Sequence, residues 1–313
     1  MNSREEKTIN ELVKFIEQHA DEITDEASQR RLMEQFMKEY KAGLAARKTP
    51  LESGEPVDAD YYMELADNAP SMKKRMEYLQ KAIELEPDNV DAQCALIMCS
   101  SEDKPHECMK AIEELILKET GRLRQEGYFD SVGDFWEISE TRPLLRVHVC
   151  YLDGLIEMGM MHRAIDEAKE ILKLCKSDRL GIRYRLMHLY AYLEDELHAV
   201  ALYKQFGECN DTPMLFPLAL LYYKIGDEEK AEEYLLRLAA NNKDTKKFMT
   251  DYVHKKVKAK DEILDSDIYG CRPNTYDEFL VEMSEYHFLF IASPVFPYWA
   301  LEHLPKRSSG KKS

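Results

Sequence analysis

Arg183-Tyr184 and Tyr223-Lys224 each set a cation beside an aromatic ring. When the helical repeats of the chain are placed in register, Arg146, Asp153 and Phe216 join them on one inner face. A guanidinium offers a planar fork of donors to a carboxylate, and a neighbouring ring adds a stacking surface. The combination suits a peptide carboxylate or an acidic segment. These seven residues are therefore the candidate partner-binding set.

Other reactive side chains do not assemble into catalytic spacings. His148, His162, His188 and His198 fall in repeat helices with no acid or cysteine at ligand or triad spacing, so they read as surface or core histidines. Asp265-Ser-Asp267-Ile-Tyr269-Gly270 imitates the start of a calcium loop. Tyr269 occupies its third acidic position, however, and Tyr276 its twelfth, where a bidentate carboxylate is required. There is no Gly-rich phosphate loop, no Gly-x-Ser-x-Gly and no His-Glu-x-x-His. The seven cysteines, Cys94, Cys99, Cys108, Cys150, Cys175, Cys209 and Cys271, form no Cys-x-x-Cys. Neither structural zinc nor a disulfide framework is expected. The sequence thus predicts no catalytic residue, no metal and no cofactor.

The elements that must carry the binding set are helices in pairs. Gly159-Met-Met-His-Arg-Ala164, Leu193-Glu-Asp-Glu-Leu-His-Ala199 and Gly226-Asp-Glu-Glu-Lys-Ala231 repeat one outline. Their alanines recur near the roughly 34-residue period of the tetratricopeptide repeat. Each small residue marks a place where two helix backbones approach closely. The best-formed pairs are expected over 143–176, 179–208 and 212–242, with bulky seams at Tyr151 and Leu155, Leu186 and Tyr190, and Leu218 and Tyr222. Two earlier pairs begin at Asp58 and Val90, and the last helix of the second, from Pro105, reads as overlong.

Residues 1–57 read as an N-terminal helical hairpin, with Leu32, Phe36, Tyr40 and Leu44 on one face, followed by a Pro/Gly linker at 48–57. Residues 58–243 form the repeat array and 244–313 a C-terminal cap with a polar tail. Within the cap, 244–264 is predicted as one helix with a basic face, and Thr275-x-x-Glu278 as a capping box. The basic run Lys246, Lys247, Lys255, Lys256, Lys258 and Lys260 reads as a solvated face, the alternative being contact with an anion. Tyr286, Phe288, Phe290, Phe296, Tyr298, Trp299 and Leu301 make the most apolar stretch. It is expected to cover the end of the array, the alternative being a partner surface.

Composition agrees with helices throughout: only 12 glycines in 313 residues, with abundant Leu, Met, Ala, Glu and Lys. With 59 acidic against 43 basic residues, the formal charge of −16 repels phosphate backbones and anionic lipid heads. Neither nucleic acid nor membrane is expected as a partner. The N-terminal residues lack the apolar core of a secretory signal, and the stretch 288–301 is broken by Pro294 and Pro297. The expected location is a reducing cytoplasm.

One stretch is more specific than the repeats. Gly133-Asp-Phe135-Trp136, then Glu140-Thr141-Arg142-Pro143, then Arg146, resembles the pattern of bacterial tetratricopeptide-repeat proteins similar to the suppressor-of-tumorigenicity-7-like family. The resemblance continues through Gly181-Ile-Arg183-Tyr184, Tyr269-Gly270, Tyr276-Asp-Glu278 and Trp299-Ala300-Leu301, and covers roughly residues 58–303. Leu144 stands where the family carries an aromatic residue. The resemblance implies architecture and no firmly attached activity. Gly133, Phe135, Trp136, Glu140, Thr141, Arg142 and Pro143 read as structural, with Trp136 and Arg142 as structural locks in preference to ligand contacts.

The sequence reading is therefore an all-α, right-handed tetratricopeptide-type solenoid serving as a scaffold or adaptor, without catalysis, for a peptide or protein in its concave groove. A regulatory peptide-sensing module is the alternative, and an enzyme with dispersed catalytic residues ranks behind it. The sequence leaves the oligomeric state and the partner's identity open.

Overall fold

The computed structural model describes residues 12–19, 22, 28, 31–33, 35–36, 38–39, 57–100, 103–257 and 273–305. Their regular structure is entirely helical, with no strand among the described residues. The chain divides into two compact units, Met1–Gly154 and Leu155–Ser313. That division falls inside the stretch expected as one array.

In the first unit, helix starts follow side-chain chemistry. Asp58 accepts the Tyr61 amide at 2.9 Å and Ser71 the Lys74 amide at 3.3 Å. These caps satisfy donors that no helical carbonyl reaches, and they open α1 (Ala59–Asp67) and α2 (Met72–Leu85). Asn89 accepts the Ala92 amide at 2.9 Å and begins α3 (Val90–Ser100). Ala59, Ala82 and Ala92 meet at the buried centre of these three helices, ringed by Tyr62, Met63 and Ile83. Helix α4 (Pro105–Gln125) runs 21 residues, overlong as expected. Its buried stripe of Cys108, Ile112, Leu115, Glu119 and Leu123 has helical spacing, while Leu117 faces out, 67% exposed. Two 3-10 turns, Tyr128–Ser131 and Ser139–Thr141, lead into α5 (Arg142–Glu157). At the N-terminal end, Leu32 and Phe36 are buried and the Phe36 ring lies 5.4 Å from Phe15. Tyr40, Leu44 and almost all of the linker lie outside the described residues.

In the second unit, α6 (Met161–Leu174), α7 (Ile182–Tyr192), α8 (Glu196–Gln205), α9 (Thr212–Ile225) and α10 (Glu228–Asn241) pack mainly on their sequence neighbours. Ala164, Ala199 and Ala231 are fully buried. One turn recurs between helices. The Asp195 amide reaches the Tyr190 carbonyl at 2.9 Å and the Asp227 amide the Tyr222 carbonyl at 3.0 Å. In each, the preceding residue is left-handed, Glu194 at φ 61° and Gly226 at φ 81°. This wrap satisfies the carbonyls at the helix end and sends the chain back antiparallel. Asp195 and Asp227 then cap the next helix, accepting from His198 and Lys230.

Helix α9 is the centre of this unit. Every residue from Thr212 to Tyr222 is buried, so the helix has no solvent face over that span. It packs against α7, α10 and α12 (Tyr276–Glu285), which is followed by α13 (His287–Ala292) and α14 (Phe296–His303). The basic helix is shorter than the sequence predicts: α11 spans Thr245–Val253, ending before Lys255 turns left-handed at φ 54°. Lys258, Lys260 and the 265–270 loop lie outside the described residues. The expected capping box is shifted by one position, because Glu278 accepts from the Asn274 amide at 2.8 Å and Thr275 makes no side-chain cap bond. Among the described residues, no helix is long and apolar enough to cross a membrane.

Candidate functional site

Two binding candidates of the second unit, Arg183 and Tyr184, lie together at the start of α7. A tight turn brings Asp178, left-handed at φ 49°, beneath the helix end, with Gly181 also left-handed at φ 66°. The buried Asp178 carboxylate accepts the Ile182 amide at 2.7 Å, the Arg183 amide at 3.3 Å and Arg183 Nη1 at 2.9 Å. Burial pushes its pKa above the ordinary carboxylate value, while those amides and the guanidinium pull it down. Arg183 Nη2 donates to the Tyr184 hydroxyl, which donates to Asp211 Oδ2 at 3.0 Å. The guanidinium lies 4.2 Å from the Tyr184 ring centre and 5.4 Å from that of Phe206. Burial and Asp211 push the Tyr184 phenol up to about 12, so it stays a neutral donor at physiological pH. The result is a polar chain, Asp178 to Arg183 to Tyr184 to Asp211, that fixes one partly exposed cation over two rings.

The other candidates of this unit are not gathered there. Lys224 Nζ donates to the carbonyls of Ala191 at 3.0 Å and Tyr192 at 2.5 Å, near the end of α7, and lies 3.3 Å from Glu194. A cation at a helix C-terminus offsets its dipole, so Lys224 acts as a cap. Tyr223 packs 5.2 Å from Trp299 and 5.4 Å from Phe296. Phe216 is 1% exposed and stacks on Phe290 at 4.9 Å, which places it in the core rather than on an accessible face. Because α9 is apolar all round, its sequence carries no periodicity to tell inside from outside.

In the first unit, Arg146 grips Asp91 with two bonds, Nε to Oδ1 at 2.8 Å and Nη2 to Oδ2 at 2.5 Å. Asp153, three residues past Cys150, opposes the downward shift of that thiol's pKa. Two bonds join residues of the 133–143 stretch. Thr141 Oγ1 donates to the carbonyl of the buried Phe135, and Arg142 Nε to that of Trp136 at 2.6 Å. The Arg142 guanidinium also lies 5.5 Å from the Trp136 ring centre. Glu140 accepts from Ser139 Oγ at 2.8 Å, Gly133 turns through φ 115° and Pro143 sits in the first turn of α5.

Two groupings escaped sequence reasoning. His188 has an acid after all: its Nε2 lies 2.6 Å from Glu282 Oε2, both side chains being buried, although the two atoms are out of hydrogen-bonding alignment. Nδ1 lies 2.7 Å from the Tyr184 carbonyl. Tyr286 stacks on the His188 ring with centres 3.7 Å apart, where α7 meets the helices that follow residue 275. The second grouping is the thiol pair Cys94 and Cys150, close enough to perturb each other's acidity. Both pairings join distant parts of the chain, so no local spacing announces them.

Of the basic run, Lys246 donates to the Pro305 carbonyl at 2.6 Å and Lys247 sits 4.6 Å over the Tyr276 ring, while Lys255 and Lys256 are exposed. Among the described residues, no group of three or more His, Cys, Asp or Glu is placed to hold a metal. No family model matches the chain, and no curated protein matches its sequence.

Proposed function

We propose that the chain is a right-handed tetratricopeptide-type solenoid, akin to the suppressor-of-tumorigenicity-7-like proteins. In this reading it acts in the cytoplasm as a non-catalytic scaffold that holds a peptide or protein segment. The observation that carries the reading is the posture of Arg183. Asp178 and Tyr184 engage its Nη1 and Nη2, and the rings of Tyr184 and Phe206 lie beneath it. A guanidinium held in place has already lost the rotamer freedom that binding would otherwise remove, and its side chain keeps 23% of its surface open. Its chemistry favours a carboxylate, either a chain terminus or an acidic side chain. The repeated alanine contacts and hairpin turns support the repeat type.

The test is recovery of bound partners by the full chain and by Arg183→Ala plus Tyr223→Ala. Recovery is expected to fall by about tenfold or more, as for an anchor residue. Arg183→Lys keeps the charge but loses the planar fork, and should fall nearly as far. Unchanged recovery from variants with unaltered thermal unfolding would refute the assignment.

A further inference from the structure

The first unit brings together sulfur atoms that the proposed binding function does not use. Cys94 lies on α3, Cys108 on α4 and Cys150 on α5. The Asp91–Arg146 ion pair ties α3 to α5 directly beside the thiols. Asp91 precedes Cys94 by three residues and Arg146 precedes Cys150 by four, so each pair shares one face of its helix. Helix α4 closes in from another side, where a Cβ on Gly154 would lie 2.4 Å from Met109 Sδ. Cys94 and Cys150 are close enough to perturb each other's thiols, whereas Cys108 turns its thiol to Met98 Sδ at 3.7 Å. Cys94 is 6% exposed and Cys108 8%, while Cys150 keeps a partly open surface.

We propose that Cys94 and Cys150 are a peroxide-oxidisable pair that closes to an intramolecular disulfide, with Cys150 attacking the oxidant and Cys94 resolving. The roles follow from exposure: Cys150 is the more open residue of the pair and Cys94 the buried one. The interaction between the two thiols lowers Cys150 against burial, Asp153 and Asp91, and together with burial raises Cys94.

In the first step the Cys150 thiolate attacks one oxygen of a hydroperoxide. The O–O bond breaks, the departing oxygen takes a proton, and Cys150 becomes a sulfenic acid. The Cys94 sulfur then attacks the Cys150 sulfur, forming S–S and breaking S–O, and hydroxide leaves as water with the Cys94 proton. Two thiols lose two electrons and the peroxide gains them.

The test treats the full chain with hydrogen peroxide, alkylates remaining thiols and maps the peptides by mass spectrometry. A Cys94–Cys150 cross-linked peptide is expected, reversed by dithiothreitol and retained in Cys108→Ser. In Cys94→Ser the reaction should stop at the Cys150 sulfenic acid, trapped by dimedone. Cys94→Ala serves the same purpose if serine disturbs the fold. A Cys108–Cys150 bridge, an intermolecular bridge, or Cys94 and Cys150 left reduced while other thiols oxidise would each overturn the proposal.

Discussion

Arg146 and Arg183 were nominated for the same role and hold carboxylates in opposite ways. Arg146 spans from α5 to Asp91 on α3, across more than half a hundred residues of chain, and makes a two-pronged bond. Arg183 closes on Asp178 only a turn away and stacks on its own neighbour. The first fastens one helix to another. The second finishes the start of a single helix and, in doing so, presents a fixed cation. An arginine fixed by local partners is free to serve as an anchor for something else, whereas one that spans the core is committed to it.

The largest way to sharpen this contrast is alkaline pH. Tyr184, Tyr190, Tyr203, Tyr222 and Tyr276, all in the Arg183 unit, have phenols pushed up to about 12, in each case chiefly by burial. Unfolded tyrosine titrates near 10. A raised folded pKa means that the stability is complete below about pH 10 and is lost as pH rises through 12. Phenolate absorbance should therefore rise together with loss of helical circular dichroism above pH 10. Hydrogen exchange should show amides of 155–305 opening first. Phenolate formation on a fully helical protein would break the expectation.

Substitution comes next. Asp178→Ala removes a buried acceptor of two amides and a guanidinium, and should cost about 3 kcal/mol in denaturant unfolding. Arg146→Ala leaves Asp91, 22% exposed, without its two-pronged cation and should cost about 2 kcal/mol, between surface and buried ion-pair values. The pattern matters as much as the size. Exchange should quicken over 178–186 in the first variant, and on both α3 and α5 in the second. A spread effect from Asp178→Ala, or a local one from Arg146→Ala, would erase the distinction.

The smallest effect concerns the recurring turn. Glu194 occupies at φ 61° the position that Gly226 occupies at φ 81°. A side chain there is strained, and the 3.3 Å contact with Lys224 offsets only part of it. Glu194→Gly should raise stability by about 0.5 kcal/mol. A loss would mean that the Lys224 contact outweighs the backbone strain.

The helix pairs were legible because their signals are local. Proline and glycine at helix ends, aspartates at caps and alanines at Ala164, Ala199 and Ala231 each act within a few residues of themselves. Even the overlong α4 could be read from Pro105 and its unbroken stripe. The site was only partly legible. Arg183 and Tyr184 are adjacent and could be seen, but their anchors Asp178 and Asp211 depend on a left-handed turn and on the meeting of α7 with α9. Asp91, Glu282 and the partnership of Cys94 with Cys150 are long-range choices made by packing. The basic helix was overextended because lysine-rich sequence favours helix right up to the left-handed turn at Lys255.

The enclosure of Thr212–Tyr222 on every side has an evolutionary consequence. Most helices of this chain can drift on their outer face while preserving an inner one, but this segment has no outer face on which change is free. Descendants of a common ancestor should keep it apolar at nearly every step, while the rest of their sequences diverge around it.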